Sequence, residues 1–124
     1  MKAIIEKIKN LRNNGAGPCN GSIEFLESCK TPQEALKKAT WSYLEWLLDA
    51  LKVDFKKEWG DYRPKVGIID AEFQSKYDAI YVYADFNSNV DALWADYKSK
   101  RHDLDDDYAN SLRKLVPMNF CENK

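Results

Sequence analysis

The amino-acid sequence predicts an all-α protein: a compact single-domain bundle of about five to six helices with a long C-terminal helix. Three observations favour this fold class. Apolar residues recur at spacings of three and four along most of the chain, helix-capping sequences precede several of these stretches, and Pro117 closes a long amphipathic segment. The 124 residues are the length of one domain. We therefore expect a helical domain over residues 1–117 and a flexible tail over residues 118–124.

The composition excludes several classes of protein. Hydrophobic residues make up 44% of the chain and charged residues 31%, which fits neither a disordered chain nor a disulfide-stabilised miniprotein. Lysine and arginine number 19 against 20 acidic residues, a balance that argues against a general nucleic-acid binder and against an acidic DNA mimic. No apolar stretch has the length of a signal peptide core or a membrane span. Three cysteines without paired spacing indicate reduced thiols, so a cytoplasmic protein is expected.

The first half of the chain carries clear helix signals. A helix is predicted over about residues 2–12 and a second, short one from Asn20 or Ser22. Thr31-Pro32-Gln33-Glu34 predicts a helix start, because Thr caps, Pro fits the first helical position and Glu reaches back from the third. Ser42 with Glu45 predicts another capping box, and the apolar residues after it cover most of the helix circumference. This pattern indicates the central helix of the domain.

The second half is predicted as a turn followed by two helices. Residues 60–64 read Gly-Asp-Tyr-Arg-Pro, which is typical of a turn. Residues 66–69 have the composition of a short strand, but a strand is disfavoured there because a single strand without a partner has nowhere to hydrogen-bond. A helix is expected from Asp70, with a break at residues 87–89 where Ser88 caps its successor. The last helix is predicted over residues 90–116, a length of roughly 40 Å at the rise of an α-helix.

Residues 11–51 resemble a motif region of small bacterial and phage immunity proteins of the Imm-5-like family. The matching positions are Cys19, residues 23–25, Thr31 with Glu34 and Ala35, and residues 42–48; residues 115–117 resemble the Leu/Val-Pro step that closes the family's helical half. Ser42 stands where the family usually has an acidic residue, and Tyr43 stands where it usually has Trp. The resemblance implies a helical fold and, by analogy, an inhibitory role.

A metal site and a catalytic site are both disfavoured. The chain has four candidate zinc ligands, but their spacing is not that of zinc sites: Cys19, Cys29, Cys121 and His102. Cys19 and Cys29 are expected instead to be small buried hydrophobic residues. His102 and the aspartates at 103 and 105–107 fit a charged helix face that Lys98, Lys100 and Arg101 neutralise. With one histidine, no nucleophile signature and no phosphate loop, we expect no enzyme, cofactor or metal.

Surplus aromatic residues in the second half predict a surface that binds a protein partner. Neighbouring rings there point to different faces of their helices, so some must reach the surface, where Tyr, Trp and Arg are typical of interface hot spots. The predicted partner-binding residues are Tyr81, Tyr83, Trp94, Tyr97 and Arg101, with Asp103 and Asp106 at the rim.

Two classes of function remain open from the sequence. The first is a non-catalytic inhibitor of phage or mobile-element origin that blocks a toxin or a host defence nuclease, for example an anti-CRISPR protein. The second is a structural or assembly accessory that pairs with copies of itself, for which a homodimer is the simplest form. A small metal-dependent or thiol enzyme is the remote third alternative. The first class is preferred, with a protein partner and neither sequence-specific nucleic-acid binding nor membrane attachment.

Overall fold

The computed structural model describes residues 1–13, 15–81, 86–117 and 120, with only the backbone at residues 81 and 86–89. The described residues form six helices: α1 Lys2–Lys9, α2 Asn20–Ser28, α3 Pro32–Lys38, α4 Trp41–Ala50, α5 Lys56–Tyr81 and α6 Phe86–Arg113. They form no strand, although an isolated β-bridge joins Asn13 and Ala16. The predicted all-α class and the long C-terminal helix are confirmed. Within this part of the chain, no helix has the combination of length and apolar character that crossing a bilayer requires.

The contacts divide the chain into two compact units. Unit 1 comprises Met1–Phe55 and Ala109–Lys124, and unit 2 comprises Lys56–Tyr108. Unit 1 therefore holds α1 to α4 together with the last turns of α6. Unit 2 holds α5 and the longer part of α6.

The core of unit 1 is built from short helices that each contribute buried side chains. Its most deeply buried side chains are Leu44, Leu48 and Leu112, with Ile4 and Ile8 of α1 also buried. Arg113 closes the end of α3: its Nε donates to the Leu36 carbonyl at 2.9 Å and its Nη2 to the Ala39 carbonyl at 2.7 Å. These carbonyls have no partner within α3, because Leu36 lies in its last turn and Ala39 is its C-cap residue.

The predicted start of α3 is confirmed, and the predicted cap of α4 is wrong. Thr31 accepts a hydrogen bond from the Glu34 N–H at 3.1 Å, and the Glu34 carboxylate accepts one from the Lys30 N–H at 2.7 Å. At α4 the N-cap is Thr40, and Ser42 is the second helical residue. The physical reason is that Trp41 can begin the helix, so Thr40, which has a similar capping preference, takes the flanking position.

Replacing Thr31 by alanine is expected to lower the free energy of unfolding by about 1 kcal/mol, because the Glu34 N–H loses its acceptor. Ser42 is the matched control, since its side chain contacts Thr40 and caps no backbone N–H. Urea denaturation of both alanine variants measures the difference. An equal loss in the two would contradict the assignment of these caps.

Unit 2 contains an antiparallel pair of helices. Tyr62, early in α5, stacks on Tyr108, late in α6, with ring centroids 4.1 Å apart, whereas Phe73, later in α5, packs against Trp94 near the start of α6. Residues later in α5 therefore contact residues earlier in α6, which is the pattern of an antiparallel helix pair. The apolar stripe of α5 includes Val66, which is buried.

Two expected breaks in this region and the expected end of α1 are wrong. Residues 60–64 and 66–69 are neither turn nor strand but part of α5, with Pro64 inside the helix. Proline removes one hydrogen bond to the Gly60 carbonyl, but both residues are exposed, so water can satisfy that carbonyl. α6 already begins at Phe86, because polar residues are tolerated in a first turn, so residues 87–89 do not break it. α1 ends at Lys9, before Leu11 and Arg12.

Candidate functional site

The structure places most of the predicted partner-binding residues on α6 within unit 2. Trp94, Tyr97 and Arg101 follow one another at helical spacing, and Asp103 and Asp106 lie on the next turns. Tyr81 is the last residue of α5, and its side chain lies outside the described residues, as does all of Tyr83.

Trp94 belongs to a cluster of aromatic rings contributed by both helices of unit 2. Its ring lies 4.8 Å from that of Phe73 and meets that of Tyr97 edge-on at 5.7 Å, while Phe73 also contacts Tyr77 at 5.9 Å. Trp94 nevertheless keeps 42% of its surface exposed, and the Lys98 ammonium lies 5.9 Å from its ring centroid. The cluster thus holds a large aromatic side chain in one orientation at the surface.

Arg101 and Tyr97 make polar contacts across the helix pair. The Tyr97 hydroxyl donates to Asp70 at 2.8 Å, and Arg101 Nη1 lies 3.4 Å from the same carboxylate. Arg101 Nη2 donates to the Tyr62 hydroxyl at 3.3 Å, and that hydroxyl donates to Asp105 at 2.6 Å. Two carboxylates, one guanidinium and two phenols therefore link α5 to α6.

The two phenols in this network resist ionisation. Burial, followed by the hydrogen bond to Asp105, raises the pKa of Tyr62 to about 12. For Tyr97 the hydrogen bond to Asp70 is the main cause of a raised pKa. Both hydroxyls therefore act as donors at neutral pH, and this network is a fixed link between helices.

The acidic segment of α6 is arranged differently from the expectation. His102 Nε2 and Asp106 Oδ2 lie 3.2 Å apart on an exposed face, one helical turn apart as predicted. The expected neutralisation by all three basic neighbours is wrong, because Lys100 pairs with Glu72 at 2.9 Å and with Asp96 at 3.1 Å. Asp103 and Asp106 remain exposed.

Glu72 of α5 forms ion pairs with two lysines, Lys76 and Lys100, so the charge of Lys100 is directed to α5 and not to the acidic segment of α6. Hydrogen bonds from Lys76 and then Lys100 lower the pKa of Glu72 to about 2. The described residues contain no group of three or more histidines, cysteines or carboxylates that could hold a metal ion.

Unit 1 contains an apolar pocket that sequence analysis did not identify. Side chains from all four short helices line it, together with Phe120. None of the lining side chains is charged, and Ser22 is the most polar of them. Because the pocket collects residues from five separate stretches of chain, no local sequence pattern indicates it.

Cys19 differs from the expectation, since it is exposed, whereas Cys29 is buried as predicted. Cys121 lies outside the described residues. Cys19 is the N-cap residue of α2, and its sulfur lies 3.1 Å from the Ser22 hydroxyl. A hydrogen bond from this hydroxyl to the thiolate is the main cause of a lowered pKa of the Cys19 thiol.

Iodoacetamide is expected to alkylate Cys19 at least ten times faster than Cys29 in the folded protein, because Cys19 is exposed and its lowered pKa favours the thiolate, whereas Cys29 is buried. Peptide mass spectrometry over time measures both rates in one sample. A Ser22→Ala variant should slow only the Cys19 reaction. Equal rates for the two thiols under native conditions would refute the described burial of Cys29.

Comparisons with protein-family models, curated proteins and solved structures found no match to this chain. The resemblance of residues 11–51 to immunity proteins therefore stays a prediction.

Proposed function

We propose that this chain is a non-catalytic, cytoplasmic protein that binds and blocks a protein partner through the Trp94 face of unit 2. The observation that carries the proposal is the placement of Trp94, which is both exposed and held by Phe73 and Tyr97. An aromatic anchor that is already fixed loses little conformational freedom on binding, so more of its contact energy contributes to affinity.

The charges near Trp94 fit the same function. Lys98 lies over the Trp94 ring, and Asp103 and Asp106 are exposed further along α6. Exposed charges at the rim of an interface steer association and fix register, while the buried aromatic supplies the affinity. A toxin or a host defence nuclease is the partner class that the resemblance of residues 11–51 supports.

The test begins with affinity capture of the partner from the source cell, followed by measurement of its affinity for two variants. Trp94→Ala is expected to weaken binding roughly 30-fold, the effect of a central hot-spot residue worth about 2 kcal/mol. Trp59→Ala is the matched control, because Trp59 has a similar exposed fraction of 40% and also lies near a cation, Arg63. If both variants retain the parent affinity while remaining folded, the Trp94 face is not the interface.

Self-association is the second candidate, and one observation favours it. Ile68 of α5 is 66% exposed, and Gly67 beside it and Gly60 two turns earlier have open space around them. Two such faces could approach closely. Sedimentation equilibrium separates the candidates: a dimer that dissociates on Ile68→Glu, with no captured partner, supports self-association, and a monomer excludes it.

A further inference from the structure

The apolar pocket of unit 1 has a defined size. It lies among Ile8, Phe25, Leu36, Tyr43 and Leu47 and leaves about 70 Å³ for the centres of water-sized groups. A cavity of roughly 10–15 Å³ is enough to hold a single buried water, so this pocket is well above the size of a one-water site. A methylene group is close to a water molecule in size. The pocket therefore has room for one short unbranched hydrocarbon chain.

The chemistry of the walls determines what such a chain must be. Apolar surface dominates the lining, so water inside would find almost no hydrogen-bond partner, whereas hydrocarbon would gain contacts with the apolar walls. A larger or more polar ligand, such as a nucleotide or a sugar, has neither the space nor the donors and acceptors it needs here.

The ammonium group of Lys7 lies close to Phe120, one of the residues that line the pocket. The Lys7 ammonium lies 5.1 Å from the centroid of the Phe120 ring and donates to the Phe120 carbonyl at 3.3 Å. That bond uses one of its three N–H groups. Within the described part of the chain, no carboxylate pairs with Lys7, in contrast to Lys9, which pairs with Glu6 at 3.6 Å. Lys7 thus retains donors and a positive charge for an anion.

We propose that this pocket binds a linear monocarboxylate of about six to eight carbons, with its chain among Ile8, Leu36 and Leu47 and its carboxylate on the Lys7 ammonium. The inference is independent of the proposed function, because all of its residues belong to unit 1. The combination of an uncharged pocket and a neighbouring ammonium that has no carboxylate partner among the described residues is what selects an amphiphilic anion.

Isothermal titration of the full chain with butanoate, hexanoate, octanoate and dodecanoate tests the size. Affinity is expected to rise about fourfold for each added methylene up to octanoate, because each one buries its surface in the pocket. Dodecanoate should gain nothing further, since its last carbons exceed the space. A series that keeps rising to dodecanoate would indicate micelle-like adsorption, and an absence of saturable octanoate binding would overturn the proposal.

Charge recognition is tested with two lysine variants and one uncharged ligand. Lys7→Gln is expected to weaken octanoate binding about tenfold and to leave the binding of 1-octanol unchanged. Lys9→Gln, on the same helix, is the matched control and should bind octanoate as the parent does. If octanol binds the parent as tightly as octanoate does, the pocket accepts any apolar group, including a side chain of a protein, and the carboxylate assignment is wrong.

The location is tested without relying on a core variant. Octanoate should shift the backbone amide resonances of Ala35, Leu36 and Ala39 in the parent protein and leave those of unit 2 unchanged. Ala39→Leu should fill the pocket and abolish these shifts together with the heat of binding. Octanoate shifts confined to unit 2 would overturn the proposal whether or not the Ala39 variant folds.

Discussion

Replacing Leu48 by alanine is expected to lower the free energy of unfolding by about 3–5 kcal/mol. Its side chain is 0% exposed in the core of unit 1, so the substitution loses the full transfer free energy and leaves a cavity. Chemical denaturation monitored by circular dichroism measures the loss.

Leu47 provides a control of identical chemistry on the same helix. It is only partly buried and lines the open pocket, so Leu47→Ala should cost clearly less than Leu48→Ala. Trp46 on the same helix is only partly buried beside the same pocket, so Trp46→Ala is also expected to cost less than Leu48→Ala. Equal losses at positions 47 and 48 would show that the register of α4 against the core is wrong.

Raising the pH from 10 to 12 is expected to remove roughly 2–3 kcal/mol of stability through Tyr62 alone. Below pH 10 this phenol is neutral in both the folded and the unfolded chain. Between pH 10 and about 12 the unfolded phenol ionises while the folded one, 4% exposed, keeps its proton, so unfolding becomes more favourable.

Tyr62→Phe isolates this contribution, since other tyrosines and the lysines titrate in both proteins. At pH 8 the parent should be more stable than the variant by about 1 kcal/mol, the value of the hydrogen bond to Asp105. This advantage should disappear and reverse as the pH approaches 12. Stability curves that run parallel over the whole interval would refute the raised pKa of Tyr62.

Local chemistry explains which parts of the fold could be predicted. The start of α3 needs only Thr31, Pro32 and Glu34, whose capping preferences act within four residues, and it is confirmed. The course of α5 could not be predicted in the same way. Gly60 and Pro64 disfavour a helix locally, but the buried stripe that includes Tyr62 and Val66 continues through them. Tertiary packing therefore outweighs the local cost.

For the candidate site, the helical positions of its residues on α6 could be predicted, but their contacts with α5 could not. Helical spacing placed Trp94, Tyr97 and Arg101 on neighbouring turns, and the structure agrees. The partners of Arg101 were not predictable, because Asp70 lies 31 positions away and only the pairing of α5 with α6 brings it close. The unit 1 pocket was missed for the same reason, since its walls come from distant stretches of chain.

The hydrogen bonds of Lys7 to Phe120 and of Arg113 to Leu36 join partners that are 113 and 77 positions apart. Unit 1 is therefore built from both ends of the chain, with the 53 residues of unit 2 between them. On a ribosome, α1 to α4 emerge first and must wait for the whole of unit 2 to be synthesised before Leu112, Val116 and Phe120 arrive. Closing so long a loop costs entropy before any of these contacts form. A chain released early would leave the apolar side chains of its first half uncovered, so Leu112, Val116 and Phe120 determine whether α1 to α4 can complete their fold.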